Sequence, residues 1–196
     1  MPVTRRRLIM ISAALAVLPA AARAAPGIVR QWTGQALGAR ASIRLAHPGA
    51  EAIAARVMAE IDRLEDILSL YRPQSALSRL NRDGHLQAPP FELLECLSLA
   101  GAVHHASGGR FDATVQPLWA LWAEAAVKGR RPDSAIIEET RLRTGWGGVA
   151  LDAEAITLQP GMALTLNGIG QGYVADRVAA LLEAEGLTDI LIDTGE

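Results

Sequence analysis

The 196-residue chain is poor in several things, and each scarcity excludes something. A single cysteine, Cys96, rules out an internal disulfide and a zinc knuckle. Four Trp, two Tyr and two Phe are too few for a surface that stacks single-stranded nucleic acid. Lysine is almost missing, since Lys128 is the one lysine among 19 basic residues; with the many alanines this fits a G- and C-rich genome rather than a site. No apolar run reaches the ~20 residues that a bilayer-spanning helix needs. What is present, 50% hydrophobic and 20% charged residues, is the composition of a folded domain, not of a disordered tail, a collagen or a coiled coil. A chain of this length makes one domain, or one and a half, and can bury roughly 70% of its unfolded surface.

The net charge of −2 hides a division. Residues 1–24 carry Arg5, Arg6, Arg7 and Arg23 and no acid. Residues 25–196 therefore hold 15 basic and 21 acidic residues, a net of −6. An acidic body argues against a nucleic-acid partner. The first segment reads as an export address: arginines, an apolar run from Leu8 to Leu18, then small residues ending Ala22-Arg23-Ala24. Arginines paired before a modest apolar run point to the twin-arginine export machinery, with an ordinary secretory signal as the alternative. Cleavage after Ala24 would leave residues 25–196 as the mature, periplasmic domain.

Within that domain, Arg30 to Ala46 reads as two short strands or a bent strand, with a tight turn at Gly38. Ile53, Val57, Ile61, Leu64, Ile67, Leu68 and Tyr71 recur at helical spacing, and Pro73 stops the run. Ser75 to Asn81 is a turn or helical piece closed by Asp83-Gly84. Pro89-Pro90 opens a second helix with Leu93, Leu94, Leu97, Val103 and Ala106 inward, and Gly108-Gly109 follows it. Further helices are expected over Pro117–Val127 and from Ile136 to Thr144. Val149–Leu151 and Ile156–Leu158 read as a hairpin, Ala163–Leu166 as a strand, and Val174, Val178, Leu181 and Leu182 as the inner face of a helix ending at Gly186. Thr188–Ile192 is a last strand. The mixture is α+β.

The sharpest local feature is the glycine-rich run Asn167-Gly168-Ile169-Gly170-Gln171-Gly172 opening a helix. Its free amides suit an anion such as a phosphate. Its spacing is neither a dinucleotide fingerprint nor a P-loop, so on its own it is a weak signal, with a tight turn that merely packs a helix on a sheet as the alternative. Asp112 can cap a helix start. His104 and His105 are adjacent, a poor geometry for one metal, and no histidine is assigned one. The serines lack the context of a nucleophile. Cys96, among leucines, reads as core.

In combination these segments resemble the ApbE family, the FAD:protein FMN transferases. Four blocks carry the resemblance, in order. Gly34-Gln35-Ala36-Leu37-Gly38-Ala39 stands at the family's G-x-x-M-G-T turn. Leu68-Ser69-Leu70-Tyr71-Arg72-Pro73-Gln74-Ser75-Ala76-Leu77-Ser78-Arg79-Leu80-Asn81 is similar to L-S-x-Y-x-x-x-S-x-L-S-x-x-N. Gly109-Arg110-Phe111-Asp112-Ala113-Thr114-Val115, with Pro117-Leu118 and Leu121-Trp122, is similar to G-x-F-D-x-T-V-x-P-L-x-x-L-W. Leu166 to Tyr173, with Asp176, is similar to D-L-x-x-x-G/A-x-G-Y-x-x-D. The last block and the export signal lean toward the relatives associated with nitrous-oxide respiration (NosX-type).

The resemblance implies a T-fold-related mixed sheet with packed helices, and an enzyme that takes FAD with magnesium. Such an enzyme moves FMN onto a threonine or serine of an exported or membrane flavoprotein and releases AMP. This is phosphoryl transfer, a chemistry of positioning and charge neutralisation. By position, Leu37 and Tyr71 would line the flavin, and Arg110, Phe111 and Asp112 would contact FAD. Gln171 falls at a Lys or Glu that contacts FAD, and Gly168 at a backbone carbonyl that binds the metal. Two departures stand out: Thr165 replaces an FAD-contacting aspartate, and Leu37 replaces a methionine. The family also continues past Asp193-Thr194-Gly195-Glu196, into segments that complete its magnesium site. The chain therefore reads as an N-terminal fragment without turnover of its own. A non-catalytic FAD-binding accessory protein, a magnesium-dependent FAD pyrophosphatase and a plain scaffold are the competing readings.

Overall fold

A computed structural model describes residues 29–187 and the backbone of Ile192 and Asp193. The export address and most of the expected Thr188–Ile192 strand lie outside the described residues.

Strands β1 (Arg30–Ala36) and β2 (Ala39–Leu45) form an antiparallel hairpin in the expected place. Their two-residue turn is Leu37-Gly38, with φ of +52° and +83°. That pair of positive angles matches the twist of a tight hairpin. Ala41, Ile43 and Leu45 point inward with Ala36, and the intervening arginines face water. Helix α1 (Ala50–Leu68) lies against this hairpin. Its stripe of Ile53, Val57, Ile61, Leu64, Ile67 and Leu68 is buried as its spacing requires. Each such side chain contributes about 1.5–3 kcal/mol on burial. The helix ends at Leu68, so Tyr71 is not on it: Ser69 takes extended backbone and its hydroxyl accepts the Tyr71 amide, turning the chain away.

Helix α2 (Ala76–Asp83) is capped by Ser75 at its start and closed by Gly84. Strand β3 (His85–Gln87) has no signature in the sequence. Helix α3 (Phe91–Ala106) begins after Pro90, but its buried face ends in Ala100 and Gly101 rather than in Val103 and Ala106. The Trp146 ring lies flat enough against Gly101 that a methyl there would sit 2.8 Å from Cζ2. A short 3-10 turn over Ala113–Val115 leads into α4 (Gln116–Val127), followed by α5 (Ser134–Arg141). Strands β4 (Val149–Leu151) and β5 (Ala155–Leu158) pair as the sequence indicates, and β3 joins β5 on its other edge.

Ala163–Leu166, expected to be a strand, is not one. Its backbone partners do not belong to another strand. The Asn81 side chain takes both backbone groups of Leu164, and the Thr165 amide donates to the Ala113 carbonyl. Helix α6 (Gly170–Ala184) follows, burying Val174, Val178 and Leu182 against α1, while Leu181 is only half-buried. Strand β6 (Ile192–Asp193) pairs with β2 through Ile43 and Ser42. The result is α+β: among the described residues there are two three-stranded sheets, β1-β2-β6 and β3-β5-β4, with helices packed on them.

Candidate functional site

Four segments far apart in sequence meet around the start of α6. The first is the β1–β2 turn. Leu37 is buried, and its Cδ1 lies 2.6 Å from where a Cβ on Gly170 would be, so only glycine lets the two come this close. The second is the loop after α1. The Tyr71 ring covers Gly38, whose missing Cβ would lie 2.3 Å from Tyr71 Cε2, and the other side of the ring is open, with 59% of the residue exposed.

The third segment is Arg110–Asp112. The edge of the Phe111 ring lies 3.1 Å from the Cβ position of Gly168. Asp112 caps the turn behind it: Oδ1 accepts from the Thr114 amide at 2.8 Å and from its hydroxyl at 2.7 Å. Thr114 Oγ1, fully buried, in turn accepts the Gly145 amide at 2.7 Å. The other carboxylate oxygen is 3.9 Å from His104 Nδ1, which is bonded to the Phe111 carbonyl at 2.9 Å. Capping is thus what Asp112 does within the fold. Arg110 is exposed, and among the described residues its guanidinium has one hydrogen bond, to the Ser107 carbonyl at 3.4 Å.

The fourth segment is Thr165–Gly172. Thr165 Oγ1 accepts the Asn167 amide at 3.3 Å. Helix α6 has no side-chain cap, and Gly168 is exposed. Among the described residues the Gln171 and Gly172 amides have no hydrogen-bond acceptor, and the Gly168 carbonyl has no donor. Gln171, half-buried on the first turn, touches none of the other site residues by hydrogen bond. The first turn of a helix with open amides is an anion-binding surface.

The serines of the second block are explained by the fold. Ser75 Oγ donates to the Ser69 carbonyl at 2.5 Å and accepts the Ser78 amide at 3.0 Å. Ser78 Oγ donates to the same carbonyl at 3.2 Å. They knot the Tyr71 loop rather than perform chemistry. Tyr173, on the inner face of α6, donates to Glu95 on α3 at 2.5 Å, and burial pushes its hydroxyl well above the ordinary tyrosine range. Glu65, and Arg72 beyond its place in the second block, were given no role by the sequence; they tie α1 to the turn and the loop. Their signal was there: Glu65 is a carboxylate set in the apolar stripe between Leu64 and Leu68.

Among the described residues no three His, Cys, Asp or Glu side chains converge on a metal position. The described residues do not by themselves make a magnesium shell, and the Gly168 carbonyl is what they offer.

Fold and site together define an α+β domain that sets a half-open aromatic face beside uncapped helix amides. The chain belongs to the ApbE family, whose profile matches residues 37–196. An FAD:protein FMN transferase of Klebsiella pneumoniae (strain 342) is 32% identical over 153 residues, covering 74% of this chain and 48% of that protein. The protein of the same name from Escherichia coli (strain K12) is 26% identical over 149 residues, covering 71% and 42%. The chain spans about half the length of the curated relatives it matches. Among solved structures, the apo flavinyl transferase ApbE of Pseudomonas stutzeri aligns with a TM-score of 0.73 at 27% identity, over 85% of this chain and 56% of that one. The flavin transferase ApbE of Vibrio cholerae aligns with a TM-score of 0.72 at 22% identity, over 84% and 57%, a likeness of fold.

Proposed function

We propose that this chain forms the FAD-binding part of an FAD:protein FMN transferase. The convergence of Tyr71, Leu37, Phe111 and the uncapped start of α6 carries the reading, because a flavin diphosphate needs a ring face and anion donors within one molecule's reach. Tyr71 offers its open face to the isoalloxazine, with Leu37 beneath the turn. Arg110 supplies charge beside Phe111, Asp112 holds that segment in shape, and Gln171 with the neighbouring amides faces the diphosphate. In the reaction, a threonine or serine oxygen of an exported or membrane flavoprotein forms a bond to the FMN phosphorus. The bond from that phosphorus to the bridging oxygen breaks, AMP leaves with that oxygen, and the hydroxyl proton passes to solvent. Magnesium belongs to this reading: the Gly168 carbonyl would help to hold it, and the ion would offset the negative charge of the diphosphate. The arginine-led N-terminus supports a periplasmic location for the mature protein, and N-terminal sequencing of the exported protein should then begin at Ala25.

The test is titration of the chain with FAD, read by quenching of flavin fluorescence. Saturable quenching is expected, and its absence would remove the reading. Incubation with FAD, magnesium and a threonine-bearing acceptor addresses turnover. Covalent flavin on the acceptor would show that residues 1–196 carry out the transfer. Free FMN without an acceptor would point to a pyrophosphatase. The accessory-protein reading draws on Thr165, a neutral hydroxyl engaged with Asn167 where the family resemblance puts an aspartate. A Thr165→Asp variant that binds FAD yet gains no turnover would favour it.

A further inference from the structure

We propose that Glu65 and Arg72 are positioning residues that hold Leu37, Gly38 and Tyr71 as a pre-formed platform for the flavin ring. The inference rests on the reading of Tyr71 and Leu37 as flavin-facing and adds how their geometry is set.

Glu65 is 8% exposed on the inner face of α1. A carboxylate in such a place is retained only where partners replace its water. It has two. Oε1 accepts the amide of Leu37, which lies in the hairpin turn and so has no strand partner. Oε2 accepts from Arg72 Nε at 3.2 Å. The guanidinium is fixed from its other side by Asp66 Oδ1 and Asp62 Oδ1, both at 2.6 Å, and by the Asp62 carbonyl at 3.2 Å. One carboxylate thereby joins the two halves of the platform: the turn that carries Gly38, and the residue next to Tyr71.

The alternative is an ordinary surface ion-pair cluster. Asp62 and Asp66 are exposed and would satisfy Arg72 by themselves, so the cluster alone leaves the buried Glu65 without a purpose. The backbone of Leu37 supplies one. A non-glycine residue at φ +52° is held in a region it seldom adopts, and its amide is aimed by the acceptor it finds. Without that acceptor the turn relaxes, Gly38 shifts, and the Tyr71 ring loses the surface on which it lies. A ring platform already in place avoids the ordering cost that a mobile one incurs on binding.

The test uses Glu65→Gln in the full chain. A glutamine amide presents one oxygen, so it satisfies Leu37 or Arg72 but not both. FAD, FMN and ADP are titrated against wild type and variant, and isoalloxazine absorption is recorded at saturation. Expected is about tenfold weaker FAD and FMN, the change that goes with one lost hydrogen bond to a charged group. ADP should bind unchanged, and the flavin spectrum should move toward that of free flavin. Arg72→Met should reproduce the same split if Glu65→Gln fails to fold. Equal FAD affinity in the variants would overturn the inference while leaving the flavin reading intact. Parallel loss of FAD and ADP would also overturn it, by showing a role in stability alone. A wild-type chain that binds no FAD would overturn both.

Discussion

The side chain of Asn81 holds the backbone of Leu164 from both sides. Its Nδ2 donates to the Leu164 carbonyl at 2.8 Å, and its Oδ1 accepts the Leu164 amide at 2.7 Å. This is how a strand would pair, performed by one amide across the fold. Leu164 is fully buried, so neither backbone group has water to turn to. Asn81→Ala should cost about 2–4 kcal/mol, one to two buried groups left unpaired, measured by urea unfolding. Asn81→Asp keeps one acceptor and loses the donor, and should fall between. A cost within the scatter of surface substitutions would refute this role.

Gly38 and Gly172 should respond oppositely to alanine. At Gly38 the new methyl meets the Tyr71 ring at 2.3 Å and the backbone sits at φ +83°. The conformation alone costs about 1–2 kcal/mol. Tyr71 must also move, so FAD titration should show weaker binding. At Gly172 nothing lies within 4 Å and the residue is helical, so alanine should raise stability by about 0.5–1 kcal/mol. A thermal melt of the two variants reads the contrast directly.

Thr114→Val keeps the shape but removes the hydroxyl between Asp112 and Gly145. The buried Gly145 bond loses its acceptor, and Asp112 loses one of the two donors that fix it. About 1–3 kcal/mol of destabilisation is expected. FAD affinity should also drop, because Asp112 sets the segment that carries Phe111 and Arg110. Thr114→Ser should restore both.

Alkaline pH should find Cys96. Burial, helped by the charge of Glu95, pushes its thiol from 9.0 up to about 12. The raised value means the fold favours the protonated thiol. That contribution is complete below about pH 9 and is lost as pH rises toward 12. Unfolding midpoints should therefore decline across this window, and less steeply in Cys96→Ala. The native thiol should ignore Ellman's reagent near neutrality; rapid labelling of folded protein would contradict the burial.

Much of the fold was legible because its elements obey simple periods. The α1 stripe, the turn at Gly38 and the β4–β5 hairpin follow from spacing and turn chemistry alone. What was hidden depends on long-range side-chain bonds. Ala163–Leu166 looked like a strand because its residues suit extended backbone, yet its partner is Asn81, whose side chain gives no periodic signal. Tyr71 continued the helical spacing by accident, and the Ser69 hydroxyl decided otherwise. Of the site, the glycine-rich helix start could be read directly from the chain. The tie between Glu65 and the Leu37 amide could not, because it joins a carboxylate to a backbone group rather than to a charge of opposite sign. Its trace was a charged residue where the pattern demanded an apolar one.

Strand β2 has as its neighbours the hairpin partner beside it in the chain and β6 from the far end of the described residues. The first pairing is local and can form within microseconds, whereas the second must close a loop holding nearly every other element. The local pairing under Leu37 and Gly38 is therefore expected to form before the distant one. A nascent chain would present β2 with a bare edge until the late segment docks, and that interval is when self-association between copies would compete with folding.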